Sequence, residues 1–375
     1  MLYNTTIMVK NSSQKSALTL LSVLSIIIST TFLISILARG YIPQYDNGLK
    51  ITATGLLSAT SLPKNASVII NDKLYSTTDS TINLVPADYQ LKIVKEGYLP
   101  WNKKITIQKE MVYRAQATLF RTNPILTPIT TNDIISPTAN SDFSEIVYIS
   151  PPSSTSIKPG IYLIETGYYL SLVPIKYQPK FIAQNRFLPT DKTITFTFSP
   201  NSKQIIAKST LKHTAYLIDL TINDPKKNIT EITFSNEKIS QDWLLQSKQL
   251  NTLSVSKLPK IFTTTIATNP ASVIFSGDES KFLYKIDSQY FTYDIEKNIN
   301  YQIDNQNEIN SPFWLPKSNS IIYINSGKIK SIEFDGSNKN TIFSDTLFVK
   351  SIIPQLDGTK LTIFTTDNIF NLTIR

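Results

Sequence analysis

One plan recurs five times in the last two thirds of this chain. An apolar or aromatic strand end leads into a polar turn of Pro, Asp, Asn and Ser, then an apolar strand, then after a gap a second apolar strand. Phe198-Ser-Pro-Asn-Ser-Lys-Gln-Ile-Ile-Ala precedes Ala215-Tyr-Leu-Ile-Asp-Leu, and Phe275-Ser-Gly-Asp-Glu-Ser-Lys-Phe-Leu-Tyr precedes Tyr290-Phe-Thr-Tyr-Asp-Ile. Phe313-Trp-Leu-Pro-Lys-Ser-Asn-Ser-Ile-Ile-Tyr precedes Ile329-Lys-Ser-Ile-Glu-Phe-Asp-Gly. Copies beginning at Ala139 (leading to Gly160-Ile-Tyr-Leu-Ile-Glu) and at Ile353 (leading to Asn368-Ile-Phe-Asn-Leu-Thr) complete the set. A hairpin needs the polar turn, and an inner strand needs the apolar run. Units of this size cannot bury their faces alone, so they must stack on one another.

The motif resembles the TolB-type, WD-like β-propeller repeat, whose turn is typically Ser-Pro-Asp-Gly-Lys. Here the turn is degenerate: Asn201-Ser202 and Asp278-Glu279-Ser280 replace Asp-Gly. At about 40–45 residues per blade, residues 126–375 accommodate about six blades. Residues 236–269, around Asp242-Trp243-Leu244-Leu245, show the least repeat character, so five or seven blades are compatible too. Closure requires the ends to meet, and Ile125–Thr130 is placed to complete the blade formed by Leu347–Arg375.

Composition agrees with an all-β class. The chain holds 18 Tyr and 18 Phe against 10 Gly, with abundant Ile and Thr, the residues that strands favour. It contains no cysteine, which excludes disulfides, thiolate metal sites, a cysteine nucleophile and a cysteine-linked lipid. The formal charge is +9, but 24 basic and 22 acidic residues are interspersed over 126–375, leaving no nucleic-acid-binding patch.

Ser16–Ala38 runs 23 residues without a charge. A helix of that length rises about 34 Å, enough for a hydrocarbon core of about 30 Å. We read 16–38 as an uncleaved transmembrane signal anchor; the apolar region of a cleavable signal is shorter, and Ala38-Arg39-Gly40 makes a weak cleavage site. Lys10 and Lys15 on one side and Arg39 and Lys50 on the other leave positive-inside counting nearly balanced. The long β-rich segment downstream places residues 1–15 in the cytoplasm and the rest, after a linker at 39–49, outside a cell membrane crossed once.

Between the anchor and the repeats, strand patterns fall at Leu49–Leu57, Ser67–Ile70, Ile82–Val85, Tyr89–Val94, Lys104–Ile107 and Tyr113–Phe120, divided by Asn-Asp, Pro-Ala-Asp and Glu-Gly turns. Pro63, Ala66, Val68, Ile70, Asn71, Pro86, Tyr89, Lys95, Gly97, Tyr98 and Trp101 stand where the PEGA domain family has its motif, and residues 50–121 resemble that family. Asn65, Asp72 and Ala87 replace its usual glycines. Asn and Asp tolerate left-handed backbone, whereas Ala87 implies an altered turn. The resemblance implies a small surface-exposed β-sandwich spacer with no catalytic residues. Tyr98 and Trp101 are candidates for stacking on a sugar, although hairpin aromatics more commonly fill core or edge.

With one histidine, His213, and no cysteine, histidine triads and His/Cys metal centres cannot be assembled. Asp278, Glu279, Asp335 and Asp357 fall in hairpin turns, where Asp bonds its own backbone. No P-loop, dinucleotide fingerprint or calcium-loop pattern is present. The expectation is an all-β chain: a transmembrane helix, a small PEGA-like β-sandwich at 50–121, then a β-propeller at 126–375. It has no catalytic, metal-binding or cofactor-binding residues and needs no cofactor. Its function is expected to be non-enzymatic: a membrane-anchored cell-surface protein presenting a propeller for protein or glycan binding, with the membrane and an unidentified envelope component as partners and no nucleic acid. Two alternatives stand beside it: a propeller-type glycoside hydrolase or lyase using Asp/Glu on envelope polysaccharide, and a purely structural envelope protein.

Overall fold

The structure, a computed structural model, describes residues 8–38, 41–45, 49–129, 134–141, 144–151, 158–165, 179–187, 191, 193–256, 258, 262, 273–303, 308–344, 349, 351–365 and 368–375. It begins with helix α1 (Met8–Ala38), whose Ser16–Ile36 stretch is long and apolar enough to cross a membrane by length and composition. The helix hides its own hydroxyls: Thr19 Oγ1 donates to the Ser16 carbonyl and Thr30 Oγ1 to that of Ile26, each at 2.8 Å. That is how Ser and Thr become tolerable in an apolar stretch. Arg39 and Gly40, the end of the weak cleavage site, lie outside the described residues.

Where a plain linker was expected, β1 (Tyr41–Tyr45) pairs antiparallel with β2 (Leu49–Ala53). The chain then divides into two compact units, Met1–Ile93 with Asn102–Ala117, and Val94–Trp101 with Thr118–Arg375.

In the first unit, but for the end residues Val94, Trp101 and Thr118, follow β3 (Gly55–Leu62), β4 (Ser67–Ile70), β5 (Lys73–Thr77), β6 (Ser80–Leu84), β7 (Ala87–Val94), β8 (Trp101–Ile107) and β9 (Val112–Thr118). They form two sheets, ordered β6-β3-β9 and β5-β4-β7-β8. Every second residue turns inward, so Leu57, Val68, Ile70, Leu91, Ile93, Ile105 and Ile107 are buried while their neighbours face solvent. Each such side chain contributes about 1.5–3 kcal/mol. The single strand expected at Leu49–Leu57 is broken at Thr54 into β2 and β3, and β5 was not anticipated because its Lys73-Leu74-Tyr75 run is exposed on an edge strand.

The second unit contains five four-stranded antiparallel sheets among the described residues. Strand β10 (Ile125–Pro128) comes first. The first sheet is β11 (Ile135–Ala139), β12 (Glu145–Ser150), β13 (Gly160–Glu165) and β14 (Lys180–Ala183). The second is β15 (Ile194–Phe198), β16 (Gln204–Ser209), β17 (Thr214–Asp219) and β18 (Ile229–Glu231), followed by helix α2 (Asn236–Ser256). The third is β19 (Ile274–Phe275), β20 (Lys281–Ile286), β21 (Gln289–Asp294) and β22 (Ile299–Gln302); the fourth is β23 (Asn310–Trp314), β24 (Ser320–Asn325), β25 (Lys328–Glu333) and β26 (Asn340–Phe343). The fifth joins β27 (Ser351–Pro354), β28 (Lys360–Phe364) and β29 (Ile369–Thr373) to β10, which pairs Ile125 with Thr373 and Leu126 with Leu372. The anticipated closure of the last sheet by the segment after residue 124 is thus present; Thr130 and residues 345–348 lie outside the described residues.

Apolar clusters tie four neighbouring pairs of sheets together. Ile161 and Phe196 share one between the first and second sheets, Leu283 and Trp314 one between the third and fourth, Phe313 and Leu372 one between the fourth and fifth, and Tyr148 and Phe364 one between the fifth and first. Between the second and third sheets, α2 occupies the segment that lacked repeat character. Ile239 and Trp243, one turn apart, pack on Ile206 and Ala215 of the second sheet, and Leu258 and Phe262 pack on Phe282 and Tyr293 of the third. Among the described residues the arrangement is a β-propeller of five four-stranded sheets, against the expected six or so, with a helix in the segment between the second and third.

Candidate functional site

The repeat decides where the chemistry-bearing side chains fall. The first strands of neighbouring sheets lie side by side, β11 by β15 and β19 by β23, which makes them the inner strands of the ring. Their accessible polar side chains are the hydroxyls of Ser136, Thr138, Thr195, Thr197, Ser311 and Ser351 and the amide of Asn310, beside an exposed Ile274 and half-buried Phe198 and Phe275. None of the five inner strands contains Asp, Glu or His.

The turn carboxylates are committed locally. Asp278 Oδ1 accepts from the Ser280 amide at 3.1 Å and from the Ser276 hydroxyl at 2.7 Å. Asp335 and Asp357 accept from the amides of Ser337 and Thr359 two residues on, and Asn201 does the same with Lys203. Glu279 takes left-handed backbone (φ 54°) in the same kind of turn. Asp278 feels burial most, which raises its pKa, yet the bonds from Ser276 and Ser280 together hold it below the ordinary carboxylate range. Thr221, first, and Gln204 lower Asp219 in the same sense.

Asp191, ahead of β15, was not singled out in the sequence. It is 1% exposed and receives the amide and hydroxyl of Thr193 and the hydroxyl of Ser209. Burial, the largest influence, pushes it up; those hydrogen bonds, with Lys212 nearby, outweigh it and leave it low. Thr193 and Ser209 in turn accept from the amides of Leu211 and Lys212 in the β16–β17 turn. That turn carries His213 in left-handed backbone (φ 52°), exposed at its tip.

The residues that carried the PEGA resemblance serve the backbone and the core. Ala66 and Val68 are fully buried, and the Ala66 amide donates to Thr78 Oγ1. The Pro63 carbonyl accepts the hydroxyl of Ser61, two residues earlier. Asn65, Asn71 and Asp72 all adopt positive φ, so the replaced glycines at 65 and 72 do sit in left-handed turns. Asn71 also receives the Gln90 amide on its side chain while donating its own amide to the Gln90 carbonyl. Pro86 is exposed just before β7; Ala87 opens that strand, so no left-handed glycine turn is needed there. The Tyr89 hydroxyl donates to the Val85 carbonyl.

Gly97 (φ 78°), Tyr98 and Trp101 belong to the second unit. The Arg121 guanidinium lies 5.6 Å from the centre of the half-buried Tyr98 ring. Trp101 is 3% exposed, and its indole N–H donates to Glu333 Oε1 at 2.5 Å. A ring so enclosed has no face to offer a sugar, which overturns Trp101 as a stacking residue. Glu333, itself 3% exposed, is the acid that ends β25 in the fourth sheet; its partner 232 positions away could not be foreseen.

A cavity of about 90 Å³ opens between the first and second sheets, walled by Glu145, Glu165, Lys180, Phe181, Asn228 and neighbouring apolar side chains. Among the described residues no group of three or more His, Cys, Asp or Glu gathers as a metal site.

Residues 54–123 match the family model described as PEGA domain. No curated protein shows significant sequence similarity to the chain. Among solved structures, a protein assigned as TolB from Agrobacterium tumefaciens is 13% identical, with 64% of this chain and 75% of that chain covered and a TM-score of 0.23. TolB from Acinetobacter baumannii is 16% identical, with 83% of this chain covered against 63% of its own length, TM-score 0.23. A luciferin-regenerating enzyme is 8% identical, with 68% and 97% covered, TM-score 0.33. The chain therefore carries a PEGA domain over residues 54–123, behind an apolar N-terminal helix.

Proposed function

We propose that this is a membrane-anchored, non-enzymatic surface protein in which the PEGA-like module at 50–121 serves as a spacer and the propeller at 126–375 binds a protein or glycan of the envelope. One observation carries the reading. The inner strands offer hydroxyls, the Asn310 amide and a few apolar side chains but no carboxylate, which suits recognition, and the turn carboxylates that a hydrolase would recruit are spent on their own turns. A general acid at neutral pH needs a raised pKa; Asp191, Asp219 and Asp278 are all moved the other way. The α1 stretch Ser16–Ile36 supplies the anchor, with the β-rich units outside the cell.

The full-length protein, reconstituted in lipid nanodiscs, would be incubated with isolated envelope polysaccharide. Retention without release of new reducing ends or unsaturated products is the expected result. Steady product release that is lost on mutating an Asp or Glu would overturn the reading in favour of the hydrolase or lyase. Failure to retain either polysaccharide or any envelope protein would favour the purely structural one.

A further inference from the structure

The repeat has an internal comparison that one sheet fails. In each of the first four sheets the third strand ends in an acid, set directly across from the first residue of the second strand. In the second, third and fourth sheets that partner is a donor: Gln204 across from Asp219, Lys281 across from Asp294 and Ser320 across from Glu333. Gln204 Nε2 donates to Asp219 Oδ2 at 3.3 Å. In the first sheet the pair is Glu145 and Glu165, and the donor to Glu145 Oε2 is instead Asn140 Nδ2 at 3.4 Å. Directly opposed strand residues hold their Cβ atoms about 4.5–5.5 Å apart, and like charges there repel.

Both glutamates line the cavity between the first and second sheets. A second, independent feature stands on the same wall. Asn228 is 4% exposed, and its Nδ2 donates to the Ile182 carbonyl at 2.7 Å across the two sheets. That bond fixes the amide's orientation, because exchanging its O and N would set two oxygens against each other. Its Oδ1 is buried with no hydrogen-bond partner. A buried acceptor left unmet is costly. Lys180 is the one cation on the wall; it is exposed and forms no ion pair among the described residues. Leu163, Phe181, Leu220, Ile222 and Pro225 make the remainder largely apolar.

We propose that this cavity is a subsite for a primary ammonium on a carbon stem, contributed by a lysine side chain of a partner protein. An ammonium carries three N–H donors and no acceptor; two carboxylates and one carboxamide oxygen are a matching set, and the apolar wall suits the methylene stem. A bare metal ion would leave that wall in contact with its hydration shell. The proposal rests on the reading of the propeller as a binding module and names one chemistry it recognises.

The test uses the full-length protein in nanodiscs and saturation-transfer NMR with three probes: Nα-acetyl-lysine amide, its Nε-acetylated form and glucosamine. Saturation of the lysine methylenes is expected, with loss of most of the signal on Nε-acetylation and at least a tenfold weaker affinity in E145Q/E165Q. The exposed E165Q alone should weaken it in the same direction, and E237Q on α2 should not. Equal signals from the acetylated probe, or undiminished binding by both E145Q/E165Q and E165Q, would overturn the subsite. Stronger binding of glucosamine than of the lysine probe, lost in the same variants, would overturn the lysine source in favour of an amino sugar. None of these outcomes depends on polysaccharide turnover, so a catalytic result in the retention assay and an empty cavity here are separate failures.

Discussion

Single residues show how a local property acquires a distant partner. Trp101 was legible as part of a family motif, and its size alone made burial the better expectation. Its bond to Glu333 was not legible, since nothing within a few residues of either side chain refers to the other. Trp101→Phe keeps most of the ring's packing but leaves a buried carboxylate short of its donor. We expect a loss of about 1–3 kcal/mol, read from urea denaturation, with part of it recovered in W101F/E333Q; an unchanged midpoint would show that Glu333 does not depend on the indole. Asp191 makes a pH prediction. Its folded pKa lies below the unfolded value of about 3.9. The folded state therefore binds fewer protons there, the stabilisation is complete above that value, and it is lost as pH falls through the lower folded pKa. Melting temperatures at pH 7 and pH 3 should differ less for D191N than for the parent protein. An identical pH dependence would remove Asp191 as a contributor.

Elements were readable where periodicity and turn chemistry agreed, and misread where they did not. The turn residues Asn65, Asn71 and Asp72 behaved as their chemistry demands, because a left-handed backbone is a local requirement. Helix α2 was seen only as a break in the repeat, although Ile239 and Trp243 have helical spacing; two positions are too few to distinguish a helix from an irregular strand. The hairpin β1–β2 was missed because its pairing is decided across a connection rather than within either run. Gly55, at the start of β3, owes its identity to packing of the same non-local kind. A Cβ there would stand 2.3 Å from the Gln108 carbonyl oxygen and 2.6 Å from a methyl of Ile107. Gly55→Ala should destabilise the protein by about 1–3 kcal/mol or more, because the main obstacle is backbone. Denaturation monitored by circular dichroism would check it, and a neutral effect would mean that the β8–β9 turn yields freely.

At the scale of the whole molecule the question is how a chain of short sheets becomes one folded ring. The last sheet lacks a fourth strand of its own, and β10 supplies it from the other end of the second unit. Thr127, opposite Asn371, sits midway along that pairing. Thr127→Pro removes its amide donor from the ladder and should weaken closure by about 1–3 kcal/mol. Limited proteolysis is expected to cut first near β10 and in the fifth sheet; cleavage confined elsewhere, with an unchanged melting temperature, would show that closure is not held by this strand. Most of this architecture could be anticipated because repetition reports on itself: five degenerate copies imply stacking whatever their exact turns. The carboxylate inventory was readable for the same reason, since hairpin Asp residues are engaged by neighbours two positions away.

What the amino-acid sequence determined by itself is everything governed by short-range physics. The 23-residue uncharged run, the alternating strands, the left-handed turns at 65, 71 and 72 and the recurrence of one hairpin plan all follow from properties of neighbouring residues. Tertiary structure decided what long-range contact alone can create. It enclosed Trp101 against Glu333, packed α2 on the second sheet, and set Glu145 across from Glu165 beside a cavity walled by Asn228. Pairing across tens or hundreds of residues depends on which surfaces meet when the ring closes, and no local pattern encodes that.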